Sequence, residues 1–179
     1  KTVGITFEGA YQSTLANAVP ILESAKMPFT VFFASDMANG SNPSHMNWEQ
    51  IKKLKKSKLV GLGILPAAYE YMVSQTTEQN AALINRAIAQ YREALGEEPA
   101  FFAYPYGEYN AAVKKHLAGY NFKAVFGQQS GVVHAHSDFL ALPRFTMTDE
   151  YGDLDRFTLT ANAAPLPVSD IIPEDITQT

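Results

Sequence analysis

The side chain best placed to do chemistry is a carboxylate at the end of the first apolar stretch. Glu8 follows Val3, Ile5 and Phe7, which alternate with smaller residues, and it precedes Gly9, so it stands at the C-terminal end of a half-buried strand. Barrels of alternating strands and helices place their chemistry at that end of the strands, where a carboxylate serves as acid or base. Glycoside hydrolysis takes a second acid at a fixed separation, for which Glu70, Glu108 and Asp138 are the candidates. His134, His136 and Asp138 are spaced two apart, so on a strand they project from one face as a metal or proton-transfer cluster. Gly131 and the weak patterning around them favour a loop with incidental histidines instead. Arg144, in the stretch LPRF, suits either a clamp on a carboxylate, Glu8 included, or a strand-end ion pair with Asp149 or Asp153. Tyr104, Pro105, Tyr106 and Gly107 make a strand-to-helix turn whose tyrosines either line a groove or pack. His45 in a polar turn and His116 near a helix C-terminus read as structural.

The elements that position these residues follow from periodicity. Strands are expected at Lys1 to Phe7, at Phe29 to Ala34, whose unbroken β-branched and aromatic run fits burial on both faces, and at Leu59 to Leu65, where Gly61 and Gly63 lead into a loop. Ala100 to Tyr104 and Phe122 to Phe126 complete the set. Between them, Leu15, Ala18, Val19 and Leu22 mark a helix capped by Ser13 or Thr14 and kinked or divided by Pro20. Asn47 with Gln50, and Thr76 with Gln79, open two further helices as capping boxes; Asn110 caps a short one. Trp48 falls in the first turn of its helix, a position that favours packing over stacking on a sugar. Strands alternating with helices in this way predict a parallel α/β sheet or barrel.

Composition narrows the function classes. A net charge of −4, with no basic run beyond Lys52 to Lys56, argues against nucleic acid and anionic lipid as partners. The absence of cysteine removes thiolate nucleophiles and cysteine-based zinc sites. No apolar run approaches the roughly 20 residues that cross a bilayer. A domain is expected over residues 1–164, and residues 165–179, with three prolines and no periodicity, read as a linker or tail toward a further domain. The abrupt strand at the start suggests a leader removed upstream.

The succession ITFEGAYQSTLANAVPILESAKMPFTVFF, a helix opening at Trp48 and then FAYPYGEYN resembles the polysaccharide deacetylases of the NodB-homology, carbohydrate esterase 4 type. That resemblance implies an α/β fold, a distorted and incomplete (β/α) barrel, acting on acetylated polysaccharide or oligosaccharide in the periplasm or at the cell surface. It also implies a zinc site: in intact members the second Asp of TFDD and the two His of HxxxH hold the metal, and the first Asp is the general base toward a metal-bound water. In this sequence TFEGAY puts Glu8 at the base position and Gly9 at the metal Asp, while ILPAAYEYM puts Leu65 and Tyr69 at the two histidines. A register shifted by two puts Gly63 and Ala67 there, with the same outcome. Zinc affinity comes from those lone pairs, so no cofactor is expected. The surviving motif, Tyr104 to Gly107, together with Arg144, is then the expected wall of a glycan-binding groove. The alternatives are a working deacetylase using His134, His136 and Asp138 or metal-free Glu8, and a non-catalytic module of a cell-envelope protein.

Overall fold

Successive strand residues point to opposite faces of a sheet, and here that alternation sorts the apolar side chains into two separate clusters. The computed structural model describes residues 2–162; the expected tail at 165–179 and its boundary at residue 164 lie outside the described residues. Five parallel strands, β1 (Ile5–Glu8), β2 (Phe29–Phe33), β3 (Val60–Ile64), β4 (Phe101–Ala103) and β5 (Ala124–Phe126), lie side by side in chain order. Helices α1 (Val19–Ser24), α2 (Trp48–Leu54), α3 (Thr77–Leu95) and α4 (Ala111–Leu117) occupy the four crossovers. Parallel neighbours joined in sequence through helices are the repeating unit of a (β/α) barrel. The five strands curl into half of one, the incomplete barrel that the sequence predicts.

On the outer face, Val31 and Phe33 of β2, Ile64 of β3, Phe102 of β4 and Val125 of β5 bury themselves against Ile51, Ile84, Tyr91 and Leu117 of the helices. On the inner face, Phe32, Leu65 and Ala103 are buried, with Phe101 and Phe126 packed on them. The register explains the glycines of β3. Thr30 lies beside Gly61 and Phe32 beside Gly63. A Cβ on Gly61 would stand 2.7 Å from Thr30 Oγ1, and one on Gly63 would run into the Phe32 ring. These glycines therefore do not end the strand; they let the side chains of β2 lie across the backbone of β3.

Local signals fare unevenly. The capping boxes at Asn47 and Thr76 form, Asn110 accepts from the Val113 N–H at 2.9 Å, and Gly96 closes α3 in the left-handed conformation. Trp48 packs edge-on against Phe33, 5.5 Å between centroids. Pro20 does not divide its helix, which runs on from a π-helical turn, Thr14–Ala18, directly into α1; the change from π to α falls just before Pro20, in the first turn of α1. The cap expected at Ser13 or Thr14 is a correction, because Ser13 already has helical dihedrals and makes no capping bond. Among the described residues, the chain after β5 is irregular apart from Leu142, which pairs in parallel with Phe126, and α5 (Leu154–Asn162), which no sequence signal announced.

Three core tyrosines give the fold a pH signature. Burial pushes the phenols of Tyr91, Tyr104 and Tyr109 up, Tyr109 to about 12, and the Glu97 charge and hydrogen bond add to the effect at Tyr91. The unfolded chain gives up these protons near pH 10, about the ordinary tyrosine value, whereas the folded chain keeps them. Their contribution to stability is thus complete below about pH 10 and is lost as the pH climbs through the folded values. Urea unfolding midpoints are expected to stay level up to about pH 9 and to fall steadily above about pH 10; a level midpoint into the strongly alkaline range would contradict this placement of the tyrosines.

Candidate functional site

Glu8, last residue of β1, puts its carboxylate on the inner face beside Phe32. An ionised carboxylate offers about four acceptor sites, and four donors meet it. Oε1 accepts from the Tyr69 hydroxyl at 2.8 Å and from the Tyr106 backbone N–H at 3.2 Å. Oε2 accepts from Arg144 Nη2 at 2.7 Å and from Gln128 Nε2 at 3.1 Å. Both members of the ion pair are only 12% exposed. Arg144 is itself tied down: its Nε donates to Gly127 O at 2.6 Å, Nη1 reaches Thr6 Oγ1 at 3.5 Å, and its guanidinium lies over the rings of Phe32 and Phe126 at 5.7 and 6.0 Å. Of the two pairings open to Arg144, the structure takes Glu8 rather than Asp149 or Asp153. A general base needs a lone pair facing the proton that it abstracts, and the acceptor sites of Glu8 are already occupied.

The turn after β4 separates two tyrosines that the sequence treats alike. Tyr104 is fully buried, stacks on Tyr109 at 4.5 Å and donates its hydroxyl to Leu140 O at 2.8 Å. It belongs to the outer-face core, so the groove role is corrected for Tyr104; Pro105 and Gly107 are buried as well. The alternation Phe102, Ala103, Tyr104 carried this signal, since residues two apart share a face. Tyr106 differs. Its φ is +58°, a left-handed conformation that costs a tyrosine about 1–3 kcal/mol. That conformation brings its N–H to Glu8 and leaves its ring half-exposed, stacked on Tyr71 at 4.2 Å and 18° and against Tyr69 at 4.4 Å. Tyr71 is 42% exposed, and no sequence signal had singled it out. The result is a tyrosine surface at the C-terminal ends of the strands.

The three positions at which the resemblance implies a metal do not fit one. Gly9 has a φ of +87°, and a Cβ there would collide with the Tyr11 ring, which folds back over it. Leu65 is fully buried in the inner-face cluster. Tyr69 keeps its proton: burial first, then the charge of Glu8 and the bond to it, hold the phenol well above the tyrosine range. Instead of ligands, Gly9, Leu65 and Tyr69 line an apolar pocket of about 110 Å³, with His45 in its wall. His134, His136 and Asp138 form no metal site either. His136 N–H donates to His134 Nδ1 at 3.2 Å, while Asp138 pairs with Lys114 at 3.2 Å and accepts from the Leu140 N–H. Among the described residues no group of three His, Cys, Asp or Glu is placed to hold a metal ion.

The Glu8–Arg144 pair predicts its own mutational signature. Removing one partner of a buried ion pair leaves the other charge uncompensated and costs about 3–5 kcal/mol, whereas replacing both is far milder. Arg144→Met alone is expected to destabilise by about that amount, and Glu8→Gln with Arg144→Met by much less than the sum of the two single changes. A double-mutant cycle by urea unfolding checks this; additive losses would mean that the two side chains do not depend on each other.

Comparison with known proteins gives the geometry a context. The family model for polysaccharide deacetylase matches residues 1–125. Among curated proteins none matches. Among solved structures, the Streptococcus pyogenes deacetylase PplD, in complex with acetate, aligns with a TM-score of 0.81 at 18% identity, over 89% of this chain and 70% of that one. IcaB from Ammonifex degensii aligns with a TM-score of 0.78 at 25% identity, over 90% and 72% of the two chains. BA3943 from Bacillus anthracis, described as a CE4 family pseudoenzyme, aligns with a TM-score of 0.61 at 17% identity, over 70% of this chain and 42% of that one. A family match over 125 of the 179 residues, on a barrel of this topology, makes the chain a member of the polysaccharide deacetylase family.

Proposed function

We propose that this domain binds an acetylated glycan at the C-terminal ends of its strands without removing the acetyl groups. One observation carries the reading: Glu8, at the position of the family's general base, is bonded to four donors, one of them Arg144, while apolar or protonated side chains stand at the metal positions. Deacetylation in the family draws on a metal that lowers the pKa of water and polarises the acetyl carbonyl. Gly9 and Leu65 offer no lone pair for that purpose, and Tyr69 offers a donor. Binding asks for something else, a concave surface with aromatic faces and a few fixed polar groups. The exposed Tyr71, stacked on Tyr106 beside the Glu8 network, supplies an aromatic face of this kind. The strained backbone at Tyr106 supports the same reading, because strain of this kind collects at ligand-binding positions. BA3943, which shares the fold and is described as a pseudoenzyme, is a precedent within the family. A periplasmic or cell-surface location, where glycans of this kind are found, accords with the family. Among the described residues no helix is long and apolar enough to cross a membrane.

Calorimetry with a penta-N-acetylglucosamine oligosaccharide, run beside an assay of acetate release, tests the proposal. Saturable binding with no acetate released is the expected result; release that depends on Glu8 would overturn it. Tyr106→Gly separates surface from scaffold, since glycine accepts a positive φ without strain and keeps the N–H to Glu8. This variant is expected to be at least as stable as the parent within about 1 kcal/mol, and to lose at least tenfold in affinity for the oligosaccharide.

A further inference from the structure

The tyrosines at the strand ends come from three separate loops. Tyr11 follows β1, Tyr69 and Tyr71 follow β3, and Tyr106 follows β4. Tyr71 and Tyr11 are 42% and 40% exposed, Tyr71 stacks on Tyr106, and Tyr69 packs against Tyr106 as well. Burial raises the Tyr106 phenol, and the phenols of Tyr71 and Tyr11 add to the effect, which puts the three in one neighbourhood. The face of a phenol ring is negative, and it attracts a cation that comes within about 6 Å of the ring centre. Among the described residues, the arginines that lie over rings do so elsewhere: Arg144 over Phe32 and Phe126, and Arg156 over Tyr151.

Charge is sorted along the barrel axis. The loops that follow β1 to β4 hold no lysine or arginine and three carboxylates, Asp36, Glu70 and Glu108. Asp36 is paired with Arg86. Glu70, next to Tyr71 in the chain, is exposed, and the donor that it meets is the neutral Gln75 amide at 3.0 Å. Between β5 and α5 the one lysine or arginine is Arg144, already paired with Glu8. Lys26, Lys56, Lys58 and Lys123 stand in the turns that lead into β2, β3 and β5, at the opposite end of the strands. An ammonium group that approaches the tyrosines therefore meets a carboxylate and no free lysine or arginine, and a surface of one sign draws the opposite charge to it.

We infer that the tyrosine surface binds the ammonium group of an amino sugar, so that the glycan it prefers carries free amino groups among its acetylated units. The inference rests on the glycan-binding reading of the same surface. The ammonium lies over the exposed ring of Tyr71 with Glu70 as its counter-charge, and neighbouring acetylated units pack along the other rings. A glycan that carries carboxylates or sulfates is disfavoured on the same grounds.

Calorimetry of the unmodified protein in mildly acidic buffer, where free amino groups carry a proton, provides the test. The ligands are penta-N-acetylglucosamine and the same pentamer with two of its acetyl groups removed. The partly deacetylated pentamer is expected to bind about fivefold tighter, and its advantage to shrink in about 1 M salt. Tyr71→Leu, which keeps the bulk but not the ring, is expected to bring the two affinities within about twofold of each other. Equal or weaker binding of the partly deacetylated pentamer, with the acetylated one bound, would overturn the ammonium site and leave glycan binding standing. So would an advantage that survives Tyr71→Leu undiminished. Binding of neither pentamer would overturn both readings.

Discussion

A curled sheet of five strands has two edges, and in this protein a buried ion pair joins them. β1 and β5 are the ends of the strand order, and the chain beyond β5 sends Arg144 back to Glu8 and Thr6 of β1. Arg144 is anchored on the β5 side through its backbone N–H to Gln129 O and its Nε to Gly127 O. Gln128, from the same stretch, adds a second link to Glu8. A planar guanidinium suits this task better than an ammonium, since it donates in several fixed directions at once and lies flat on the rings of Phe32 and Phe126. Desolvation offsets much of the attraction between two buried charges, so the pair adds less net stability than its geometry suggests. What it adds is specificity, as neither charge is satisfied unless the two edges sit at this spacing.

The same pair underlies the proposal that the domain binds glycan without deacetylating it. A carboxylate on the inner face of such a barrel serves as a base only while an acceptor site stays open to water. Here two side chains from opposite sides, Tyr69 and Arg144, occupy it together with the Tyr106 N–H and Gln128. Tyr69 is the informative replacement. At a position where the resemblance implies an imidazole that binds metal, a phenol that holds its proton donates to Glu8 instead. Gly9 completes the change, since a side chain there would displace the Tyr11 ring and require a left-handed backbone. The replacements form one consistent set, in which the lone pairs that would face a metal give way to donors that face a carboxylate.

Much of this was legible in the sequence. The five strands and the capping boxes at Asn47 and Thr76 follow from residue type and spacing, because helix caps and strand alternation are local properties, whereas Gly9, Leu65 and Tyr69 were singled out only through the family resemblance. The fates of Tyr104 and Tyr106 were half legible. Alternation from Phe102 assigns Tyr104 to the helix side, but nothing local announces the left-handed turn that frees the ring of Tyr106. Arg144 lies 136 residues from Glu8 in a stretch without periodicity, so its choice of partner depends on how the sheet curls. The pocket was illegible for the same reason, since Gly9, His45 and Leu65 meet only in three dimensions.

The central claim is that donors to Glu8 have taken the place of a metal centre. Zinc titrated into the purified protein by calorimetry, beside the Glu8→Gln variant, tests it most directly. The structure predicts weak, non-stoichiometric heats that are the same in both proteins. A saturable site binding one zinc per chain, abolished by Glu8→Gln, would contradict the account and return the protein to the metal-dependent members of its family.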